Sequence, residues 1–189
     1  MEEVTASGKM RDDADRRLLL RVAARDRESF RELYINYHRR LTRFLMRLTR
    51  RYDLAEEVIN DTFLAVWHQA PGFRGEARVS TWIMSIAYRR ALKTLQQTKL
   101  AGNAVAVAID EAALLATDDL AQSELHEWVL QGLQQLPVEQ RVVLELAYDF
   151  GHSCEEIAAI VECPVNTVKT RMFHARRKLR EILPELAGA

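Results

Sequence analysis

The sequence predicts an all-α protein of two small helical domains joined by a flexible linker, and three observations carry that expectation. Only 7 Gly and 4 Pro stand in 189 residues, and apolar residues recur mainly at spacings of three and four, the period of amphipathic helices. The formal net charge is +0, yet the charge is unevenly placed: a basic block, an acidic block and a second basic block follow one another. The stretch from Leu136 to Leu183 carries, in order, a helix start, a capping box, a tight turn and a second, basic helix. Length and an apolar fraction of 48% allow one ordinary core or two small ones, so organisation along the chain must choose between them.

The first domain is expected over residues 15–95 as several helices joined by short turns. From Arg16 to Arg51 twelve arginines stand against Asp26, Glu28 and Glu32. Breaks are expected near Tyr52-Asp53 and from Pro71-Gly72 to Ser80, where Gly72 and Gly75 interrupt the periodicity. Residues 96–123 weaken into small and acidic residues, and from Leu100 to Glu127 six carboxylates occur with no Arg and no Lys. Two readings fit this stretch. It is a tether that lets the domains take up different separations and whose negative charge keeps it off DNA, or it is a helical connection packed into one domain.

The second domain is expected over residues 124–189. Pro137 suits the first turn of a helix that carries Val143, Leu146 and Ala147 and stops around Asp149-Phe150-Gly151. Ser153 with Glu156 three residues on makes a capping box, which opens a short helix through Cys154, Ile157, Ala158 and Val161. Glu162, Cys163 and Pro164 form a tight turn, because the proline ring cannot continue the helix before it. Helix, short turn, helix is the arrangement that presents a second helix to the major groove.

In that second helix Val168, Met172, Ala175, Leu179 and Leu183 share one stripe, which must pack inward. The opposite side carries Asn166, Thr170, Phe173, Arg177 and Arg180, with Lys169 and Arg176 along one edge and Arg171 and His174 along the other. Asn can read adenine, Arg or Lys can read guanine, Thr or Phe can touch a thymine methyl, and further cations can neutralise phosphates. A solvated basic helix is the plain alternative. Here, however, the basic face coincides with the cap, the turn and the second helix.

Two stretches of the first domain are also two-sided. In DLAEEVINDTFLAVW, Asp53 to Trp67, the residues Asp53, Glu56, Glu57, Asn60 and Asp61 fall on one face, and Leu54, Val58, Thr62, Ala65 and Val66 on the other. The carboxylates are either ion-pair partners for the arginine-rich helix or a docking surface for a basic partner, with Phe63, Leu64 and Trp67 as an apolar anchor at its edge. In FRGEARVSTWIMSIAYRRALKTL, Phe73 to Leu95, Trp82 and Tyr88 are interleaved with Arg74, Arg78, Arg89, Arg90 and Lys93. Such a surface suits unstacked bases and their phosphates. Trp82, Ile83 and Ile86 also fit helical core spacing, and that reading stays open.

Other classes find less support. No glycine-rich phosphate loop or nucleophile elbow is present, and His38, His68, His126, His152 and His174 form no constellation, so no enzyme is expected. Cys154 and Cys163 have no C-x-x-C partner and no His at ligand spacing; they read as buried free thiols, with no metal site and no cofactor. No apolar run reaches the roughly 20 residues needed to span a bilayer, and the polar start from Met1 to Arg17 lacks the apolar stretch of a signal peptide, so a cytoplasmic protein without membrane insertion is expected. A stand-alone helix-turn-helix regulator with a sensing first domain would explain the DNA face, but neither the carboxylate stripe nor the other basic block.

Those two motifs, followed by LPVEQRVVLELAYDFGHSCEEIAAIVECPVNTVKTRMFHARRKL from Leu136 to Leu179, resemble in order and spacing the extracytoplasmic-function sigma factors, the shortest class of the bacterial RNA polymerase sigma family. The resemblance covers about Ser29 to Leu95 and Leu130 to Leu183. It implies a sigma region 2-like first domain that docks on the clamp helices of the largest polymerase subunit and opens the promoter at its minus-ten element. It implies a sigma region 4-like second domain that reads the minus-thirty-five element, with the polymerase flap as a further partner. An anti-sigma factor, a partner for which zinc content is one option, would sequester the protein until a stress signal releases it.

Carried over by position, Asp53, Glu56, Glu57, Asp61, Phe63 and Trp67, with Leu64 beside them, fall on the core-binding stretch. Ser80, Thr81, Trp82, Tyr88, Arg89 and Lys93 fall on the promoter-opening stretch. Asn166, Thr167, Lys169, Thr170, Arg171, Phe173, His174, Arg176 and Arg177 fall on the recognition helix. The chain departs from the family at Tyr88-Arg89, where Arg-Asn often follows the Ile-Ala pair, and at Lys93, an often acidic position. Both departures lie where the minus-ten strand is expected to pass, so base preference does not carry over.

Overall fold

A computed structural model describes residues 2–100, 129 and 131–187. The chain divides into two compact units, and among the described residues every regular element is helical. The first unit holds α1 (Glu2–Ala23), α2 (Arg27–Thr49), α3 (Tyr52–Gln69), a 3-10 turn (Ala70–Gly72) and α4 (Val79–Leu100). The second holds a helical turn at 131–134, then α5 (Val138–Tyr148), α6 (Cys154–Val161) and α7 (Val165–Ala187).

Local chemistry sets the breaks of the first unit. Arg25 adopts the left-handed region at φ 69°. Asp26 then caps α2 by accepting from the Glu28 N–H and the Ser29 hydroxyl, a side chain competing for orphan helix-end donors. The sequence reading marks no break there, although Asp26 followed by Ser29 was its visible signal. The helix α2 ends at Arg50, again left-handed, whose N–H donates to the Met46 carbonyl. The break therefore falls just before Tyr52-Asp53, and Tyr52 opens α3 rather than the turn.

The core of this unit is drawn from all four helices: Leu19 and Val22, Leu33, Leu41, Phe44 and Leu45, Val58, Ile59, Phe63 and Val66, and Ile83, Ala87 and Ala91. Each large side chain of this set contributes about 1.5–3 kcal/mol by leaving water. In α4 the residues from Ile83 to Tyr88 are buried without a gap, so neighbours surround this helix around its circumference. The helix also continues through residues 96–100, which the sequence reading places in the linker. The rest of that linker, 101–123, lies outside the described residues, as does the expected start of the second domain at 124–128.

In the second unit Val142, Val143 and Leu146 of α5 meet Ile157 and Ile160 of α6 and Val168, Met172, Ala175 and Ile182 of α7. The expected inward stripe of α7 is deep at its start, but Leu179 and Leu183 are only half-buried, with Ile182 taking the deeper place. Gly132 comes close to that end: a Cβ there would meet Leu183 Cδ2 at 2.8 Å, so a larger residue at 132 would require the Leu183 side chain to shift. Pro137 stands one position earlier than expected, as the cap residue before α5, and its carbonyl accepts from the N–H groups of Gln140 and Arg141.

Candidate nucleic-acid and polymerase interfaces

The helix-turn-helix is fixed by both of its predicted punctuation marks. Ser153 Oγ accepts from the Glu156 N–H at 3.2 Å, and Glu156 Oε2 accepts from the Ser153 N–H at 2.8 Å, closing the capping box. The helix α6 stops at Glu162, left-handed at φ 54°, and the Cys163 N–H donates to the Ala158 carbonyl. The Pro164 carbonyl accepts from Thr167 and Val168 and so starts α7. Cys154 and Cys163, expected buried, are free thiols at half-buried positions, because one opens α6 and the other sits in the turn.

On α7 the side chains of Asn166, Lys169, Thr170, Phe173, Arg176 and Arg177 are exposed, Phe173 to 62%. Thr167, Arg171 and His174 are half-buried at the edges. Thr170 Oγ1 donates to the Asn166 carbonyl, which turns its oxygen lone pairs and methyl outward. Arg171 is drawn back to the protein: Nη2 lies 3.4 Å from Glu139 Oε2 of α5, and Nη1 donates to Cys163 Sγ at 3.9 Å. Arg176 lies over the Tyr148 ring, 5.7 Å from its centre. The open part of the face therefore offers an amide, an ammonium, a hydroxyl and an aromatic ring, with guanidinium groups further along.

On α3 the carboxylate row is present, with Asp53, Glu57, Asn60 and Asp61 exposed and Glu56 half-buried. Three of its members also have internal partners: Asp53 with Arg51, just before α3, Glu56 with His38 of α2 at 3.3 Å, and Asp61 with Arg90 of α4 at 2.9 Å; of these, Arg51 alone is an arginine of the basic block. The hydrogen bond from Arg51 holds the Asp53 carboxyl below the usual aspartate range. The apolar anchor needs correction. Phe63 is 2% exposed and belongs to the core, where Phe30 and Tyr34 pack on it. Leu64 is 56% exposed. Trp67 is half-buried, against Phe30 and beneath Arg25, which also donates to its carbonyl at 2.8 Å.

On α4 the expected strand-facing residues separate. Thr81 and Tyr88 are buried, at 2% and 9%, so neither side chain offers a stacking surface; the helix is enclosed at both positions. Ser80 and Trp82 are half-buried, and Arg89 and Lys93 exposed. Trp82 packs on Phe73, with ring centres 5.1 Å apart. Gln69, Ile86, Arg89, Arg90 and Lys93 line a shallow cleft between the end of α3 and α4. Sequence reasoning did not place Gln69 there, since it lies in another motif. Among the described residues no helix is long and apolar enough to cross a membrane.

Comparison with known proteins agrees with this division. The profile described as Sigma-70 region 2 matches residues 33–100, and that described as Sigma-70, region 4 matches residues 126–179. The chain is 31% identical to the ECF RNA polymerase sigma factor SigM of Mycobacterium tuberculosis, over 93% of this chain and 88% of that one. It is 30% identical to the ECF RNA polymerase sigma factor SigK of Mycobacterium bovis, over 95% and 98%, and 27% identical to the RNA polymerase sigma-H factor of Pseudomonas aeruginosa, over 92% and 96%. Two solved structures share the fold. CnrH in complex with the cytosolic domain of CnrY has a TM-score of 0.66 at 23% identity, over 91% of this chain and 98% of that one. The sigma factor RpoE in complex with the anti-sigma factor NepR from Bartonella quintana has 0.65 at 22%, over 83% and 98%.

Fold and paired profiles define a sigma-70-type transcription initiation factor. More narrowly, the chain belongs to the ECF RNA polymerase sigma factors. It is an alternative sigma factor, which binds core RNA polymerase and directs it to promoter DNA.

Proposed function

We propose that the three surfaces divide the work of promoter selection by charge. The carboxylate row of α3, Asp53, Glu56, Glu57 and Asp61, docks on a basic element of core polymerase, with exposed Leu64 and the edge of Trp67 as its apolar contact. On α4 and the loop before it, Arg89 and Lys93 hold phosphates of the opened minus-ten strand, with Ser80 and Trp82 at the helix entrance. The α7 face reads the minus-thirty-five duplex through Asn166, Lys169, Thr170 and Phe173, with Arg176 and Arg177 on phosphates. The single observation that carries this reading is the separation of sign: the anionic row lies on α3, and the cationic faces lie on α4 and α7. Protein and DNA can then be held without competing for one surface.

The domain roles follow: residues 15–95 for polymerase and the minus-ten element, residues 124–189 for the minus-thirty-five element, and a tether that begins after α4 rather than at 96. All of these contacts are binding contacts made in the cytoplasm, where polymerase and promoter meet, and no reaction is assigned to the chain. An anti-sigma partner that covers these surfaces would hold the factor inactive until a stress signal; the likeness to the complex of RpoE with NepR supports that. The test is in vitro transcription with core polymerase, genomic promoter fragments and the full chain. Transcripts that require the chain are expected, and their start sites map both promoter elements; no chain-dependent transcript from any fragment overturns the reading.

A further inference from the structure

The loop from Phe73 to Arg78 joins the 3-10 turn to α4, and its conformation is held from a distant part of the sequence. The helix α1 supplies two side chains one turn apart. Arg16 donates through Nη1 and Nη2 to the Gly75 carbonyl, both at 3.2 Å, and through Nη2 to the Ala77 carbonyl at 3.1 Å. Asp12 steadies that guanidinium, accepting from Nε at 2.8 Å. Its other oxygen accepts from the Val79 N–H at 2.9 Å, across 67 positions of sequence.

Val79 is the first residue of α4, so Asp12 acts as the helix cap that the chain does not supply locally: the residue before it is Arg78, whose side chain has no acceptor. A carboxylate at that end also meets the positive pole of the helix dipole. Gly75 fits the same device for two reasons. It is left-handed at φ 74°, and a Cβ there would come within 2.9 Å of Arg16 Nη1. Asp12 is 14% exposed and Arg16 36%, so the clamp is shielded enough for charge-assisted bonds to hold their geometry. The clamp ties down three backbone groups of a short loop that exposes Arg74 and Arg78, and it sets Phe73 against Trp82 at the start of α4.

We infer that Asp12 and Arg16 are positioning residues for promoter opening: their clamp on Gly75, Ala77 and Val79 presets the loop so that its cations and the Phe73–Trp82 pair meet single-stranded DNA without first being ordered. Neither residue touches the strand. Asp12 and Arg16 lie before the residues 33–100 matched by the Sigma-70 region 2 profile, and the backbone groups they hold lie within them. The inference rests on the reading above that the stretch from Phe73 onward handles the opened strand. A preordered loop spares the strand the entropy of fixing that backbone, which is the general source of preorganised affinity.

The test uses holoenzyme with the full chain and a promoter recovered in the transcription assay, carrying 2-aminopurine in its minus-ten element. Arg16→Met keeps the aliphatic stem and removes the fork. Opening at equal promoter occupancy should fall roughly tenfold, as expected for loss of charged hydrogen bonds, while core affinity stays at the wild-type value. Arg16→Lys, a single point donor that cannot bridge two carbonyls, should fall between them. Wild-type opening by Arg16→Met, with the loop amides exchanging faster, overturns the inference; so does a loss of core affinity large enough to account for the whole effect. The underlying reading fails separately. If Arg74→Ala with Arg78→Ala leaves opening unchanged, the loop does not handle the strand; if that double variant loses opening and Arg16→Met does not, only the clamp fails.

Discussion

Arg90 of α4 donates to the Asp61 carboxylate of α3 across 2.9 Å, so the proposed polymerase-docking row and the proposed strand-holding cleft share an ion pair. Both side chains reach solvent, and such a pair contributes about 0–1 kcal/mol to stability. Asp61→Arg should therefore shift the melting temperature little. It should weaken core binding by at least roughly tenfold, since a like charge then faces the basic partner. Competition binding with labelled core polymerase measures this; unchanged affinity removes Asp61 from the docking surface.

The pairing of Arg171 with Glu139 predicts an asymmetry on the DNA face. Glu139→Gln frees the Arg171 guanidinium from its carboxylate, so affinity for duplex DNA of arbitrary sequence should rise and its salt dependence steepen by about one released counterion. Lys169→Ala, at an exposed position, should cost about 1–3 kcal/mol on the cognate element and relax preference at one base pair. Fluorescence anisotropy at several salt concentrations distinguishes the two. An unchanged salt slope in Glu139→Gln would show that Arg171 stays bound to the protein without its carboxylate.

A buried carboxyl makes the first unit pH-sensitive. Tyr37 donates to Asp15 Oδ2 at 2.5 Å, and both side chains are buried. Burial pushes the Asp15 carboxyl above its ordinary 3.8, with the Tyr37 hydrogen bond and the Arg40 charge opposing. A folded pKa above the unfolded one means that the folded state binds the extra proton. This contribution is fully present below the unfolded pKa and is lost as pH rises through the folded one. Asp15→Asn, which keeps an acceptor for Tyr37, should thus raise the melting temperature at pH ~7, with the advantage narrowing steadily toward the acid range. Paired melts across that range test the sign; a variant less stable than wild type near neutrality would show that the Arg40 charge outweighs burial.

The capping box makes a local prediction for the second unit. Ser153→Ala removes the acceptor for the Glu156 N–H and should cost about 1 kcal/mol, whereas Ser153→Asp should restore most of it. Urea denaturation of the full chain followed by circular dichroism reads the loss, and duplex affinity should drop with it because α6 supports α7. Equal midpoints for Ser153→Ala and wild type would mean that Glu156 alone holds the start of α6.

What the residues along the chain determined by themselves is the part governed by near neighbours. The box of Ser153 and Glu156, the stop at Glu162, the start beyond Pro164 and the carboxylate row of α3 all follow from helix period and end chemistry, and those act within a turn or two. Which side chains of a helix remain outside was decided by what packs on it. At about 100° per residue, the unbroken burial from Ile83 to Tyr88 closes the full circle of α4, and Tyr88 goes inside although it stands among cations. Phe63 went inside for the same reason, with α2 aromatics packed on it. Arg171 was legible as a cation on the right edge, but its bond to Glu139 depends on how α5 and α7 cross. The clamp of Asp12 and Arg16 on Gly75, Ala77 and Val79 has no local signature, because only the folded bundle brings partners so far apart in sequence within hydrogen-bond reach.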